Sequence, residues 1–304
     1  MAVHTQLTET DFRELLSHYQ LGQFINAKGI SDGIENSNYF LITTSGEFVL
    51  TIFEEIHSHE LEPYLHFLNF ISQQGIRVAA PLANQQGRLF NQLARYDDKP
   101  YIIAPKLKGR HLQKPALKQC QAIAEELARL HICSQHYSQP FIGIRSTTWL
   151  QQLLRANHQK CSTHEQEEYG ALLKHYDSID LPLSMIHGDL FTDNCLFDGD
   201  QLSGIIDFFN VGQGPMLFDL AVLINAWASE NAKLDIPKAT SIIQAYDIIR
   251  PLNTQEKTEL LATLKVAAMR FYLSRLQSPS TKKPEEFRLL FNHLNTLTAK
   301  GLLH

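Results

Sequence analysis

Apolar and polar positions alternate in two different ways along the chain, and the change falls near residue 105. In the first part, short apolar runs are separated by turn residues, a pattern typical of an antiparallel β-sheet. The runs that predict strands are residues 24–30, 39–42, 48–53, 80–83, 88–90 and 101–104. Apolar residues at helical spacing predict two helices between them, over 8–19 and over 60–74.

The second part is dominated by longer segments in which apolar residues recur every three or four positions. This spacing is typical of helices that bury one face. The predicted helices cover residues 119–131, 149–176 with a break near 162–163, 218–227, 237–246, 254–276 and 285–298. Residues 212–215, Gly-Gln-Gly-Pro, are predicted to form a turn. The change of pattern predicts two domains, residues 1–105 with the sheet and residues 106–304 with most of the helices.

The composition is that of an ordinary globular protein and excludes several functional classes. The 304 residues include 44% hydrophobic and 19% charged ones, enough to bury a substantial core. A net charge of −5 gives no basic excess of the kind that nucleic-acid-binding proteins carry. No signal peptide or membrane span is predicted, and the four cysteines lack the spacing of a disulfide framework or a zinc site. We therefore expect a cytoplasmic protein.

The candidate chemistry is concentrated in residues 185–207. The tripeptide His187-Gly188-Asp189 follows an apolar residue, Asn194 comes five positions after Asp189, and Asp207 comes thirteen positions after Asn194. Two carboxylates and an amide at such spacing suit a loop that places one carboxylate beside a substrate hydroxyl. The amide and the second carboxylate would bind magnesium, which prefers oxygen ligands. This arrangement is typical of phosphoryl transfer.

A second candidate feature is the loop that precedes the strand at 39–42. Gly29 and Gly33 flank this loop, and Ser37 and Asn38 follow it, so small residues and backbone N–H groups are available there to cover phosphates. A plain hairpin connection uses the same residue types. The residues alone therefore leave both interpretations open.

The order of these features is similar to that of protein kinases, in which a sheet-containing lobe precedes a helical lobe with D-x-x-x-x-N and a later Asp. The details resemble the aminoglycoside phosphotransferase and choline kinase superfamily more closely, because the chain has HGDLFTDN at 187–194 and IIDFFNVGQGPMLFDLA at 205–221. This resemblance implies an α+β, two-lobed protein-kinase-like fold. An N-terminal antiparallel sheet lobe would bind ATP, and a larger, mainly helical C-terminal lobe would carry the catalytic and substrate sites.

Within this superfamily, the chain resembles the homoserine kinases of the choline-kinase-like type. That resemblance is carried by GISDGIENSNYFLITTSGEFVLTIFE at 29–54 and MRFYLSRL at 269–276, and it spans nearly the whole chain. It implies a transferase that uses ATP and Mg²⁺ to phosphorylate the hydroxyl of L-homoserine, an early step of threonine biosynthesis. The implied partners are homoserine and ATP, without nucleic acid or membrane.

The resemblance also implies roles for individual residues. Asp189 would be the catalytic residue that orients the attacking hydroxyl, and Asn194 and Asp207 would be the metal ligands. His187 and Asp219 would brace the loop by hydrogen bonding. The implied ATP-binding residues, the last two of which belong to the linker that meets adenine, are Gly33, Ser37, Asn38, Ile103 and Ala104.

One position departs from the kinase pattern. The strand lysine that contacts the ATP phosphates in protein kinases, and that pairs with a helix glutamate, is replaced by Thr51 in FVLTIFE. Glu60 or Glu62 would be the glutamate, but the lysine is missing. Asn38 and Ser37 are the candidate substitutes, and a nucleotide-binding pseudokinase is the alternative function.

The acceptor substrate depends on the C-terminal part of the chain. A carboxylate such as that of homoserine favours an arginine, which can grip it with two hydrogen bonds. Arg270 is our candidate, with a surface salt bridge as the alternative, and Arg275 should point about 140° away from it on a helix. An aromatic cage for choline or ethanolamine is the competing interpretation, and an aminoglycoside is disfavoured because the last helices are not acid-rich. The candidate cage residues are Phe208, Phe209, Trp227 and Phe271.

Overall fold

The computed structural model describes residues 3–31, 36–143, 147–277 and 284–303. The contacts divide the chain into two units, Met1–Lys108 with Gly204–Ile206, and Gly109–Ser203 with Asp207–His304. The short segment Gly204–Ile206 joins the first unit because the Ile205 N–H donates to the carbonyl of Arg77 over 2.8 Å. Among the described residues, no helix is both long enough and apolar enough to cross a bilayer.

The first unit is built on a five-stranded antiparallel sheet with the strand order β1-β2-β3-β5-β4. Its elements are α1 (Glu9–Leu16), β1 (Phe24–Gly29), β2 (Asn36–Thr43), β3 (Gly46–Phe53), α2 (Ser58–Gln73), β4 (Asn91–Leu93) and β5 (Lys99–Pro105). The predicted N-terminal antiparallel sheet is confirmed.

Side chains on this sheet alternate between two faces, as the pleat of a strand requires. On one face, Tyr39, Leu41 and Leu50 are buried in a cluster that also contains residues of α1. We call this the core face. On the other face, which we call the open face, Asn38 and Thr51 are paired across β2 and β3 and are only partly buried.

Two strand predictions in this unit are wrong. Residues 80–83 and 88–90 form no strand, and β4 begins only at Asn91. The reason lies in Asn84, whose side-chain oxygen accepts the backbone N–H groups of Gln86 and Arg88, both over 2.9 Å. A side chain thus satisfies backbone donors that a hairpin ladder would otherwise satisfy.

The second unit is mainly helical, which confirms the predicted C-terminal lobe. Its elements, with β8 extending into the first unit, are α3 (Leu117–Ser134), α4 (Thr147–Ala156), α5 (Thr163–Asp177), β6 (Leu183–Ile186), β7 (Cys195–Asp198), β8 (Gln201–Ile205), β9 (Gly212–Pro215), α6 (Met216–Trp227), β10 (Ser229–Glu230), β11 (Lys233–Leu234), α7 (Ile236–Ile249), α8 (Thr254–Gln277), α9 (Pro284–Leu294) and α10 (Ala299–Leu303). Helix α6 is almost entirely buried and packs against α3, α7 and α8. It therefore forms the centre of this unit.

Two further predictions are corrected here. Residues 212–215 form strand β9, which pairs with β6, rather than a turn. Their glycines permit a close approach, since a Cβ atom on Gly212 would lie 2.3 Å from backbone atoms of Gly143. The last predicted helix, over 285–298, ends at Leu294, and α10 is a separate helix.

Candidate active site

The predicted site residues His187, Asp189 and Asn194 lie on one loop between β6 and β7, which we call the 187–194 loop. Gly188 has a φ of +73°, a left-handed conformation that glycine adopts without strain. His187 is fully buried, whereas the Asp189 side chain is 22% exposed. The tight turn thus leaves the Asp189 carboxylate accessible while its neighbours are buried.

Hydrogen bonds within the loop fix the backbone around Asp189. The side-chain amide nitrogen of Asn194 donates to the carbonyl oxygen of Asp189 over 2.7 Å, and the Phe191 N–H donates to the same oxygen over 2.8 Å. The Asp189 N–H in turn donates to Nδ1 of His187 over 3.2 Å. Because Asn194 uses its nitrogen here, its side-chain oxygen is directed away from this contact.

Asp219, in the first turn of α6, holds the beginning of the loop. Its carboxylate is fully buried and accepts the N–H groups of His187 (2.7 Å) and Gly188 (2.8 Å). Burial alone would raise the pKa of Asp219, but hydrogen bonds from His131 and Gly188 outweigh it, and the pKa lies below its ordinary value. An ionised carboxylate with these partners suits the bracing role that the resemblance implies.

Two residues of this network were missed by the sequence analysis. Nε2 of His131, on α3, lies 3.1 Å from Oδ2 of Asp219, and its Nδ1 lies 2.7 Å from the hydroxyl of Tyr246 on α7. All three side chains are fully buried. The one available signal was that His131 follows Leu127 by four positions and so continues the apolar face of α3.

Asp207 lies on a segment that contacts the 187–194 loop. The ring of the next residue, Phe208, packs edge-on against His187 with centroids 4.7 Å apart. Asp207 itself has φ +63° and ψ +59°, a left-handed conformation that Asp tolerates better than most residues. Its side chain is exposed. The structure thus brings the segment that carries Asp207 next to His187 and Gly188.

The chemistry of Asn194 and Asp207 fits magnesium. Each offers a hard oxygen atom, and the Asn194 oxygen is the atom left over by its hydrogen bond to Asp189. Mg²⁺ is commonly held by one or two protein ligands together with substrate phosphates and waters. Among the described residues, no group of three or more His, Cys, Asp or Glu side chains is placed to hold a metal. The magnesium assignment therefore depends on an Asp and an Asn.

Arg270, on α8, is 98% buried rather than at the surface. One of its guanidinium nitrogens, Nη1, lies 3.6 Å from Oδ1 of Asp189, and its Cζ lies 4.0 Å from the centre of the Phe271 ring. The surface salt bridge that we considered as an alternative is therefore wrong. The Cζ atom of Arg275 lies 5.7 Å from the same ring and 4.7 Å from that of Phe287.

Three of the four candidate cage residues are buried in separate contacts. Phe208 packs on His187, and the indole of Trp227 donates to the Leu190 carbonyl over 3.0 Å. Phe271 packs on Phe191 with centroids 4.6 Å apart. These contacts do not assemble an accessible aromatic cage.

The predicted ATP-binding residues belong to the first unit, and Gly33 and Ser37 differ from the others. Gly33 lies outside the described residues. Ser37 is fully buried on the core face, where its hydroxyl accepts the N–H groups of His4 and Thr5 and donates to Glu54. This placement gives Ser37 a structural role in joining the N-terminal segment to the sheet.

The remaining ATP-binding candidates divide between the two faces of the sheet. On the open face, the Thr51 hydroxyl donates to the Asn38 side-chain oxygen over 2.7 Å. Ala104 pairs with Val49, two positions along β3 from Thr51. Ile103 belongs to the core face, and its carbonyl accepts the N–H of Leu82 over 2.8 Å.

The first unit does contain a lysine–glutamate ion pair, but it differs from the pair of strand lysine and helix glutamate in protein kinases. Nζ of Lys99 lies 2.7 Å from Glu54, which also accepts from Ser37 on the core face, whereas Thr51 is on the open face. Burial alone would raise the pKa of Glu54, but hydrogen bonds from Lys99, Ser37 and Thr5 outweigh it and lower that pKa. The helix candidate Glu60 is used to cap α2, since it accepts the N–H of His57.

Solved structures with this fold include several small-molecule kinases. Amicoumacin kinase in complex with AMP-PNP and Ca²⁺ has a TM-score of 0.70 at 16% identity, over 95% of this chain and 92% of that one. A microcompartment-associated aminopropanol kinase has a TM-score of 0.65 at 18% identity, over 97% of this chain and 95% of that one. At such identities, the likeness shows the fold, and it confirms the kinase-like architecture.

Relatives by sequence are more similar. The homoserine kinase of Neisseria meningitidis serogroup B is 36% identical over 91% of this chain and 91% of its own length. That of Methylobacillus flagellatus is 35% identical over 91% and 87%, respectively. The model of the phosphotransferase enzyme family matches residues 26–252, about three quarters of the chain. The chain therefore belongs to the phosphotransferase enzyme family.

Proposed function

We propose that this chain is an ATP- and Mg²⁺-dependent homoserine kinase, which would serve an early step of threonine biosynthesis. The observation that supports it most strongly is a buried arginine beside the candidate catalytic carboxylate, Arg270 Nη1 lying 3.6 Å from Asp189 Oδ1. The similarity to homoserine kinases over 91% of the chain points to the same acceptor.

In this proposal, Asp189 accepts a hydrogen bond from the attacking hydroxyl of the substrate. That hydrogen bond orients the hydroxyl oxygen towards the γ-phosphate of ATP. Catalysis of phosphoryl transfer consists mainly of positioning and charge neutralisation, so the orientation of this carboxylate matters more than its basicity. Asn194 fixes that orientation through the Asp189 carbonyl. Arg270 offers a positive charge 3.6 Å from one oxygen of this carboxylate.

Asn194 and Asp207 are the proposed magnesium ligands. When bound, Mg²⁺ would neutralise charge on the ATP phosphates and hold them in place. The two oxygen donors come from segments that meet at His187 and Phe208. Replacing Asn194 with Ala should therefore raise the Mg²⁺ concentration that gives half-maximal activity.

Residues 1–105 are the proposed ATP-binding lobe, and residues 106–304 the proposed catalytic and substrate lobe. On the open face of the sheet, Asn38, Thr51 and Ala104 are the residues that we assign to ATP. The Asn38–Thr51 pair would place a polar group at the position that kinases give to lysine. Ser37 is left out of this assignment because its hydroxyl is used on the core face.

The acceptor must suit both Asp189 and Arg270. A substrate whose hydroxyl lies at Asp189 and whose far end lies at Arg270 has to be short, because the two charged groups are neighbours. The far end must also be anionic, since a buried guanidinium favours a carboxylate and repels a cation. Homoserine has both properties. Choline and ethanolamine would place an ammonium against Arg270, and an aminoglycoside is too large and too cationic.

The deciding experiment is a substrate panel with ADP release as the readout. Homoserine, 3-aminopropan-1-ol (homoserine without its carboxylate), choline, ethanolamine and kanamycin are compared for kcat/KM with ATP and Mg²⁺. We expect homoserine to be preferred over 3-aminopropan-1-ol by at least about 100-fold, the discrimination that a buried charged partner provides. Preference for an acceptor without a carboxylate would refute the proposed substrate, and no turnover with any acceptor would favour a pseudokinase.

Variants of Arg270 test the contact itself. Arg270→Met should reduce the ratio of kcat/KM for homoserine to kcat/KM for 3-aminopropan-1-ol to near unity while leaving the KM for ATP unchanged. Arg275→Met is the matched control, because Arg275 is on the same helix and its guanidinium also lies beside the Phe271 ring, where it packs against Phe287. An equal loss of discrimination in both variants would count against a specific role for Arg270.

A further inference from the structure

We infer that Tyr246, which lies three hydrogen-bonded contacts from the 187–194 loop, is a positioning residue for the proposed reaction, acting through the imidazole of His131. The inference rests on the proposed function only in its kinetic readout. The contacts run from the Tyr246 hydroxyl to His131 (2.7 Å), from His131 to Asp219 (3.1 Å), and from Asp219 to the loop N–H groups of His187 and Gly188.

Each hydrogen bond in this series has only one possible direction. Asp219 is ionised and can only accept, so Nε2 of His131 must carry the proton that points at it. A neutral imidazole has one N–H and one acceptor nitrogen, and burial lowers the pKa of His131, which keeps it neutral. Nδ1 is therefore the acceptor, and the Tyr246 hydroxyl must be the donor. Burial raises the pKa of Tyr246, so the phenol keeps its proton.

The consequence concerns the tautomer of His131. With the proton on Nδ1 instead, two lone pairs would face each other across the 3.1 Å between Nε2 and Asp219 Oδ2. Asp219 would then lose a donor and would be free to turn away from the N–H groups of His187 and Gly188. Asp219 thus requires the Nε2–H tautomer, and Tyr246, by donating to Nδ1, stabilises that tautomer and holds the imidazole where Nε2 reaches Asp219. This keeps Asp219 in the orientation that holds the loop.

Tyr246 is itself held firmly. Its ring packs edge-on against the His131 ring with centroids 5.7 Å apart, and the guanidinium of Arg250 lies 5.7 Å from its centre. Arg250 is in turn paired with the fully buried Glu256 over 2.7 Å. The phenol thus has little freedom to leave His131, as a positioning residue requires.

Tyr246→Phe removes only the hydroxyl and keeps the ring contacts. We expect kcat to fall about three- to tenfold, the factor that one buried hydrogen bond supplies, with the KM values for ATP and homoserine unchanged. Tyr176→Phe is the matched control. Tyr176 is also buried in the second unit, and its hydroxyl makes no hydrogen bond within the described part of the chain. It should keep wild-type kinetics.

A double-mutant cycle separates positioning from general destabilisation. His131→Gln retains a donor towards Asp219 but cannot respond to Tyr246. If Tyr246 acts through His131, adding Tyr246→Phe to His131→Gln should change kcat by less than twofold. If the two substitutions reduce kcat independently, so that their factors multiply in the double variant, the inference is overturned. A change in KM as large as the change in kcat would also overturn it.

The tautomer provides a readout that needs no turnover. In protein labelled with ¹⁵N-histidine, the two ring-nitrogen shifts of His131 distinguish the Nε2–H from the Nδ1–H tautomer, and His131→Gln identifies the signals by their loss. We expect Nε2–H in both the wild type and Tyr246→Phe, because Asp219 requires it. In Tyr246→Phe we expect a changed Nδ1 shift, since that nitrogen loses its donor, and faster hydrogen exchange at the Gly188 N–H. An unchanged Nδ1 shift together with an unchanged exchange rate would overturn the inference. If the wild-type protein is inactive but Tyr246→Phe still shows these spectroscopic changes, the proposed function is refuted and the connection from Tyr246 to the loop is retained.

Discussion

Asp219 in the second unit and Glu54 in the first are both carboxylates surrounded by donors, but they differ in burial and in what they hold. Asp219 is fully buried and accepts backbone N–H groups of the 187–194 loop, so its hydrogen bonds fix residues beside the candidate catalytic Asp189. Glu54, with a side chain that is 10% exposed, accepts from Lys99, Ser37 and Thr5 on the core face of the sheet. The first network should therefore control the reaction, and the second should control stability.

The difference also shows that the residue types of an ion pair do not reveal its role. Lys99 and Glu54 form a lysine–glutamate pair in a kinase-like sheet, yet they lie on the face opposite to Thr51. A pair on the core face would not hold ATP phosphates at the open face, where we propose that they bind. Only the side of the sheet on which a residue lies distinguishes the two roles.

The largest effect is expected at the residue that the Asp219 network positions. Asp189→Asn keeps the size of the side chain but removes its ability to accept the hydroxyl proton, and we expect kcat to fall by about 10²- to 10⁴-fold. ATP binding measured by calorimetry should be retained. Asp198→Asn, an exposed carboxylate at the end of β7, is the control and should keep full activity. An Asp189→Asn enzyme of near wild-type turnover would remove Asp189 from the site.

Asp219→Asn tests the first half of the comparison. The amide keeps the shape of the side chain, but its NH₂ group replaces one of the oxygens that accept hydrogen bonds from His131, His187 and Gly188. We expect kcat to fall by about 10- to 100-fold and the free energy of unfolding by about 3 kcal/mol, the value of a hydrogen bond to a buried charge. Steady-state kinetics and urea denaturation measure the two effects. A loss of stability without a loss of kcat would make Asp219 a purely structural residue.

Motif spacing found the site residues that are close together in sequence. Asp189 and Asn194 lie on one loop because their chemistry requires a fixed short backbone path between them. No such constraint relates His131 to Tyr246, which are separated by 115 residues and meet only when α3 packs on α7. Contacts of this kind depend on tertiary packing and leave no local spacing in the sequence.

Strand predictions succeeded where apolar runs were long and failed where a side chain replaced the ladder, as Asn84 does. The case of Ser37 and Asn38 is different, because the alternation of a strand already places neighbouring residues on opposite faces. Treating both as phosphate ligands overlooked that rule. Ser37 is on the core face with Glu54, and Asn38 is on the open face with Thr51.

Glu54→Gln tests the second half of the comparison. Its amide weakens the ion pair with Lys99 and one hydrogen bond to Ser37 or Thr5, so we expect the free energy of unfolding to fall by about 1–2 kcal/mol. The kcat value should not change, because the hydrogen bonds of Glu54 are made to Lys99, Ser37 and Thr5 within the first unit. A fall in kcat comparable to that of Asp219→Asn would show that the two networks do not differ in role.

The pH dependence of stability provides a smaller but independent distinction. The pKa of His131 is lower in the folded protein than in the unfolded chain, since burial disfavours its charged form. Below about pH 6.5, the unfolded chain therefore binds a proton that the folded protein refuses, and stability falls as the pH falls, by up to about 1.4 kcal/mol per pH unit. His131→Gln should have a flatter curve between pH 7 and pH 5. Parallel curves for wild type and variant would show that His131 takes up its proton equally in both states.

The smallest effect is expected on the open face of the first unit. Thr51→Val keeps the β-branched shape that suits a strand and removes the hydroxyl that donates to Asn38 over 2.7 Å. If this pair contacts the ATP phosphates, the KM for ATP should rise about threefold, as expected for the loss of one neutral hydrogen bond. The KM for homoserine serves as the internal control and should not change. An unchanged KM for ATP would place the phosphate contact elsewhere. If ATP contacted this polar pair, replacing the hydroxyl with a methyl group would weaken ATP binding.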